Sequence, residues 1–269
     1  MKSGGSGLGA VVRQLRRRGG AGFEWYKESC LVRRIEIRMR ARGVESLAGY
    51  AGLLARDSGE ADRLLRALSV GVTGFFRNPD TWRRLGEMVA AQPPGTGERL
   101  SGWSMGCSTG QEAWSLAILL LAHGRRTGNP PDAGIQVVAS DLDARALAVA
   151  RTGNYPAPAA APIRELFQEP FGAVRDSRFE IAPEVRARVV FRQEDLTGHV
   201  VPDLHDLVCC RNLLIFLGKE GQRRVLGAAL RALRPGGLLV LGRTESLVAG
   251  LIGDLAPVDP THRIYRRSR

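Results

Sequence analysis

The chain has 269 residues, with 39 Lys+Arg against 27 Asp+Glu and a formal net charge of +12. A hydrophobic share of 44% and a charged share of 25% exclude a disordered or fibrous chain and fit one large or two modest domains. No apolar run approaches the roughly 18 residues of a membrane span, and the N-terminus lacks the extended apolar core of a secretory signal, so a cytoplasmic location without membrane insertion is expected.

In chain order, residues 1–22 mix Gly, Ser and Arg and read as a flexible lead-in. Residues 23–92 read as an all-α domain. Leu31, Ile35 and Met39 fall four apart on one helix face, and Lys27, Arg33, Arg34, Arg38, Arg40 and Arg42 give the same helix a dense basic surface. Asp80, after Pro79, is placed to cap a helix through Trp82, Leu85 and Val89. A Gly/Pro break at residues 92–97 follows. From residue 98 to 269 apolar runs alternate with helical stretches, which predicts an α/β domain. Strands are expected at 99–105, 135–140, 189–192, 204–210, 238–242 and 262–266, and helices at 111–122, 143–151 and 220–233. Residues 153–183, rich in Pro and Ala, read as irregular.

Four cysteines show no C-x-x-C pair and no His cluster, so neither a metal site nor a disulfide framework is expected; Cys209 and Cys210 read as buried thiols. Only Lys2, Lys27 and Lys219 are lysines, so 36 of the 39 cations are Arg. That skew fits compositional drift as well as selection, while +12 favours an acidic partner of some kind.

The candidate ligand site begins at Gly106-Cys-Ser-Thr-Gly110, a Gly-rich turn between strand and helix. Glycines there let a ligand approach the backbone, and the helix start offers free N–H groups. The pattern is neither G-x-G-x-x-G nor G-K-[ST]. Asp141 ends the second strand, where a carboxylate can accept from both hydroxyls of a ribose, and Asp143 is the better-placed cap for the next helix. Glu112, in the first turn after the Gly loop, would repel a pyrophosphate and face an ammonium group. Ribose plus a cation points to S-adenosylmethionine.

Several motifs in a fixed order then resemble the CheR-type chemoreceptor glutamate methyltransferases. They are Thr73-Gly-Phe-Phe-Arg77, Gly106-Cys-Ser-Thr-Gly110, Ala139-Ser-Asp141-Leu-Asp143, Cys210-Arg-Asn212, Leu233-Arg-Pro-Gly-Gly237 and Gly242-Arg-Thr-Glu-Ser246. The resemblance implies an α/β fold of the class I S-adenosylmethionine-dependent methyltransferase type, doubly wound and mostly parallel. It also implies a small all-α N-terminal domain in front and a short β subdomain near residues 170–190. It places cofactor contacts at Thr73, Arg77, Glu112, Asp141, Asp195, Leu196, Asn212 and Leu213, beside the loop glycines Gly106 and Gly110. Arg77 is the candidate catalytic group, S-adenosylhomocysteine the product, and no metal takes part.

The chain departs from the family pattern at Gly71 (usually Asn), Gln111 (Glu), Asp195 (Asn), Phe216 (Tyr) and Arg243-Thr244 (His-Ser). Arg33, Arg34, Arg38 and Arg42 are expected to dock on the acidic helical bundle of a chemoreceptor. The short 171–183 segment predicts an enzyme that needs no C-terminal pentapeptide tether; the 6% aromatic share argues against a nucleic-acid partner, and a monomer is expected. The alternatives are a nucleic-acid or small-molecule methyltransferase on the same fold, or a cofactor-binding regulator without turnover.

Overall fold

The computed structural model describes residues 4–17, 22–68, 73–91, 100–127, 134–198, 203–248 and 253–268. Its first helix, α1 (Gly4–Arg17), lies where a flexible lead-in was expected. Leu8, Val11 and Leu15 recur at helical spacing and are buried, which outweighs the poor helix propensity of the glycines around them. α1 packs against α3 (Leu47–Arg56), and at Gly7 a Cβ would stand 2.8 Å from the Leu47 Cβ. A short 3-10 turn, Phe23–Trp25, leads into α2 (Glu28–Ala41), and α4 (Ser58–Leu68) completes this layer.

The predicted apolar face of α2 is buried through Leu31, Ile35 and Met39. Its basic face is not simply solvated. Arg38 forks onto the fully buried Glu60 carboxylate of α4 at 3.0 and 2.7 Å, and the Tyr50 hydroxyl donates to the same carboxylate at 2.7 Å. Arg34 donates to the Ala67 carbonyl, and Arg42 pairs with Asp57 at 3.1 Å. Three of the four arginines expected at the partner surface thus bind their own chain; Arg33 and the neighbouring Arg40 are exposed.

α5 (Pro79–Ala90) starts from Asn78, held at φ 62°, with Pro79 in the first turn. Asp80 is therefore not the cap; it sits inside the first turn and pairs with Arg83 at 2.6 Å. The break expected at residues 92–97 lies outside the described residues.

Beyond it the strands are β1 (Ser101–Met105), β2 (Gln136–Asp141), β3 (Asn154–Pro156), β4 (Gly172–Arg175), β5 (Arg178–Ile181), β6 (Val189–Gln193), β7 (His205–Cys210), β8 (Leu233–Leu241), β9 (Leu255–Asp259) and β10 (Ile264–Arg267). Seven form one sheet in the order β6-β2-β1-β7-β8-β10-β9, parallel from β6 to β8 and antiparallel over β10 and β9. The helices are α6 (Gln111–Arg126), α7 (Ala144–Thr152), α8 (Ala161–Leu166), α9 (Pro183–Arg186) and α10 (Lys219–Ala232). Every residue of β1 is buried, as are residues 113–124 of α6, so the centre of the sheet is covered on both faces. Cys209 and Cys210 are fully buried on β7, as read from the sequence.

Two strands depart from expectation. β8 begins five residues early, because the Arg234-Pro235-Gly236-Gly237 run is taken into the strand with Gly236 at φ 79°. β9 was missed; Pro257 argues against a strand, yet β9 is the sheet edge, where a missing donor is harmless. The segment read as irregular forms a three-stranded sheet, β3-β5-β4, while β6 belongs to the main sheet. At Gly172 a Cβ would lie 2.2 Å from the Glu180 carbonyl, so the β4–β5 pairing requires glycine.

Candidate active site

The site lies at the carboxyl ends of β1, β2, β6 and β7. The chain runs from β1 outward to β2 and β6 and then returns to the other side of β1 at β7, and such a reversal opens a crevice. After β1 the backbone turns sharply: Gly106 adopts φ 71°, and the N–H groups of Gly106 and Cys107 both donate to the Ser140 carbonyl, at 2.8 and 3.0 Å. Gly110, at φ 92°, starts α6, and a Cβ there would sit 2.7 Å from the Ala150 Cβ of α7.

Asp141 pins this loop. One carboxylate oxygen accepts from the Ser108 N–H at 2.7 Å and the other from the Asp143 N–H at 2.9 Å. Asp143 caps α7 by accepting from Arg145 and Ala146 N–H groups, as expected, whereas the loop-pinning bonds of Asp141 were not anticipated from the sequence. Burial raises the Asp141 carboxyl, opposed by those backbone hydrogen bonds.

Beside Asp141 opens a cavity of about 410 Å³ whose walls include Gly106, Asp195, Leu196, Asn212 and Leu213. Asp195 accepts from both the N–H and the hydroxyl of Thr197, at 2.9 and 2.5 Å, which fixes its loop. A smaller chamber of about 50 Å³ is lined by Thr73, Arg77, Cys107, Glu112 and Arg211. Gly106, Ser108 and Asn212 line both spaces, so the two are neighbours across one short wall. Of the residues singled out for the ligand, all but Gly110 line one space or the other, and Gly110 acts through the turn. Arg33, Arg34 and Arg38 on α2, and Arg42 just after it, stand apart and line neither.

Glu112 has its cation within the chain. It accepts from the Ser104 hydroxyl at 2.8 Å and faces Arg211 at 3.4 Å. Burial pushes its carboxyl up; the Arg211 charge and the Ser104 bond pull the other way. Arg211, buried, also donates to the Arg77 carbonyl at 2.7 Å and to the Asn78 side chain at 3.1 Å, and its guanidinium lies 5.5 Å from the Trp82 ring centre. It ties the Thr73–Arg77 segment to the sheet. Its Nε is buried without a partner among the described residues.

Glu245, buried like Arg211, accepts from the N–H groups of Asn212 at 2.8 Å, Gly242 at 2.7 Å and Ile215 at 3.2 Å. It holds Asn212 at φ 61°. Sequence reasoning missed both residues as parts of the site, although each lies inside a quoted motif. Phe75 packs against Tyr155 and Phe179, and Phe76 against Trp82 and Phe167.

Two family models match the chain: the CheR methyltransferase S-adenosylmethionine-binding domain over residues 71–261, and the CheR methyltransferase all-alpha domain over residues 7–69. The chain belongs to the CheR methyltransferase family. An uncharacterised 104.1 kDa protein of Rhodobacter capsulatus is 35% identical over 97% of the chain, and the chain spans 28% of that protein's length. Chemotaxis protein methyltransferase 1 of Pseudomonas aeruginosa is 31% identical over 82% of the chain and 83% of its own length. The chemotaxis protein methyltransferase of Klebsiella aerogenes is 30% identical over 88% of the chain and 81% of its own length. The fold is that of an S-adenosylmethionine-dependent methyltransferase behind an all-α domain.

The residues of this CheR family member fit that cofactor. The larger cavity pairs an acidic strand end, Asp141, with apolar walls from Leu196 and Leu213, suited to a ribose and a flat base. A Cβ on Gly106 would press into Leu213 at 3.3 Å, at the wall the two spaces share. Among the described residues no cluster suits a metal ion and no helix is long and apolar enough to cross a membrane.

Proposed function

We propose that the protein transfers a methyl group from S-adenosylmethionine to glutamate side chains on the cytoplasmic helical bundle of a chemoreceptor. The observation that carries this reading is the adjacency of a nucleoside-sized cavity and a small chamber lined by two arginines and a threonine. In this reading Asp141, Asp195, Leu196, Asn212 and Leu213 hold the nucleoside, and Thr73 and Glu112 face the methionine arm. The bound cofactor supplies an electrophilic methyl on a sulfonium.

A glutamate carboxylate is ionised near neutral pH, so the chain needs no general base. Its task is alignment and exclusion of water. Arg77 orients the acceptor carboxylate through a planar fork of donors, and Arg211 fixes the Arg77 backbone. The acceptor oxygen forms the new O–C bond as the methyl–sulfur bond breaks, leaving a γ-methyl ester and S-adenosylhomocysteine. Each ester removes one negative charge from the receptor bundle.

Receptor docking in this reading uses the exposed Arg33 and Arg40 side of α2, with the protein a cytoplasmic monomer. The β4 edge is four residues long and offers little backbone to a tethering strand. The test incubates tritiated cofactor with receptor cytoplasmic fragments, RNA and DNA, followed by alkaline release of methanol. Base-labile counts on receptor, unaffected by a receptor C-terminal pentapeptide, are expected. Stable counts on nucleic acid, or cofactor binding without transfer to any acceptor, would overturn the reading.

A further inference from the structure

The larger cavity is not closed by the α/β domain alone. Gly22, Phe23 and Tyr26, from the turn that precedes α2, form part of its wall, together with Arg66 and Leu68 of α4. The turn is held there by backbone pairing across the two domains. Tyr26 forms an isolated antiparallel bridge with Leu217, Lys27 N–H donates to the Phe216 carbonyl at 2.8 Å, and Gly218 N–H donates to the Trp25 carbonyl at 2.8 Å. Arg224 of α10 covers the Trp25 ring at 4.2 Å.

These bonds leave the Tyr26 side chain little freedom. Its ring stacks on Phe216, with centres 6.4 Å apart and planes 20° from parallel, and both rings face the cavity. The ring pair is apolar and flat, as the face of a purine is. Among the described residues no hydrogen-bond partner meets the Tyr26 hydroxyl, although the carboxylates of Asp141 and Asp195 lie near enough that they, after burial, push the phenol up to about 12. The group is therefore a neutral donor at physiological pH.

We propose that Tyr26 is a cofactor-binding residue supplied by the N-terminal domain, its ring and that of Phe216 walling the nucleoside and its hydroxyl donating to it. This rests on the cofactor reading above and extends it, because it gives the all-α domain a part in binding the nucleoside as well as in meeting the receptor. A hydroxyl fixed at the cavity wall offers a ligand a hydrogen bond at little ordering cost.

The experiment measures S-adenosylhomocysteine binding to the full chain by calorimetry for wild type, Tyr26→Phe and Tyr26→Ala, with thermal unfolding of each unliganded protein as the control for folding. Tyr26→Phe keeps the ring and its stacking, so it is expected to unfold with wild type and to bind about 3- to 15-fold more weakly, the loss of one net hydrogen bond. Tyr26→Ala is expected to lose at least a further tenfold. Wild-type binding with Tyr26→Phe unchanged within twofold would overturn the hydroxyl's role, and with Tyr26→Ala folded and also unchanged, the whole inference. No binding by wild type would refute the cofactor reading itself, which separates the two failures.

Discussion

Replacing Glu245 with alanine should weaken both the fold and the site, by an amount that follows from its three bonds. The carboxylate accepts from Asn212, Gly242 and Ile215 N–H groups in a place closed to bulk water. A buried donor left without an acceptor costs about 1–3 kcal/mol, so three give a gross loss of about 3–9 kcal/mol. Water entering the vacated space relieves part of this, and a net loss of about 3–5 kcal/mol is expected, against a typical total of about 5–15 kcal/mol. Glu245→Gln sharpens the test. Its amide has one oxygen, and the geometry favours keeping it where Asn212 and Gly242 both donate, so only the Ile215 bond turns into a clash of donors. Gln should therefore cost about 1–2 kcal/mol, far less than Ala. Urea unfolding followed by circular dichroism reads the stability. S-adenosylhomocysteine calorimetry reads the site, where the Ala variant should bind at least about tenfold more weakly because Asn212 loses its hold at positive φ. An alanine variant within about 1 kcal/mol of wild type, or a glutamine variant as damaged as alanine, would refute the reasoning.

Arg38→Ala leaves Glu60 buried without its fork and should cost about 3–5 kcal/mol in urea unfolding. Burial alone would raise the Glu60 carboxyl, but hydrogen bonds from Arg38 and Tyr50 outweigh it and hold the group below its usual range. That contribution is complete above about pH 4.3 and is lost as pH falls through the folded value, so acid titration of stability should show a limb that Arg38→Ala lacks. Arg33→Glu with Arg40→Glu, both exposed, should leave unfolding unchanged within about 0.5 kcal/mol but raise KM for receptor in a salt-dependent manner. Receptor methylation indifferent to both changes would remove this face from docking. Asp141→Ala should weaken S-adenosylhomocysteine binding by about 10- to 150-fold in calorimetry, and should also free the Ser108 loop, visible as faster amide exchange there.

What could be read from residue order was whatever depends on near neighbours. Leu31, Ile35 and Met39 announce the buried face of α2 because their spacing alone places them on one side. The turn at Gly106 and the acid at Asp141 are local signals of the same kind, and both line the cavity. α1 was hidden because its three buried residues are diluted by glycine, and β9 because Pro257 is tolerated only at an edge that no local pattern reveals. Arg38 read as part of a docking face because its acid, Glu60, lies 22 positions away. Arg211 and Glu245 were missed as site parts for the same reason: their bonds span 134 and 33 positions, and only the closed fold brings the ends together. Tyr26 belongs with them, since its place in the cavity depends on a bridge to Leu217.

The thiols packed around β7 and the Gly106 loop have a consequence for alkaline solution. Cys209 and Cys210 on β7, and Cys107 in the Gly106 loop, are buried in surroundings that push all three well above the ordinary thiol value, burial being the main cause. In the unfolded chain each ionises near pH 8.5; in the native protein none does at that pH. The stability they lend is thus complete below about pH 8.5 and drains away as pH climbs towards the folded values, at about 4 kcal/mol per pH unit for the three together. The arginine bonds that tie the layers stay charged beyond pH 12 and do not share this weakness. Base should therefore draw the protein into the unfolded state through thiolates that form only once the chain opens. Reactivity towards a thiol reagent at these three positions and loss of ellipticity should rise along one curve, and labelling that precedes unfolding would show that the core opens by a different route.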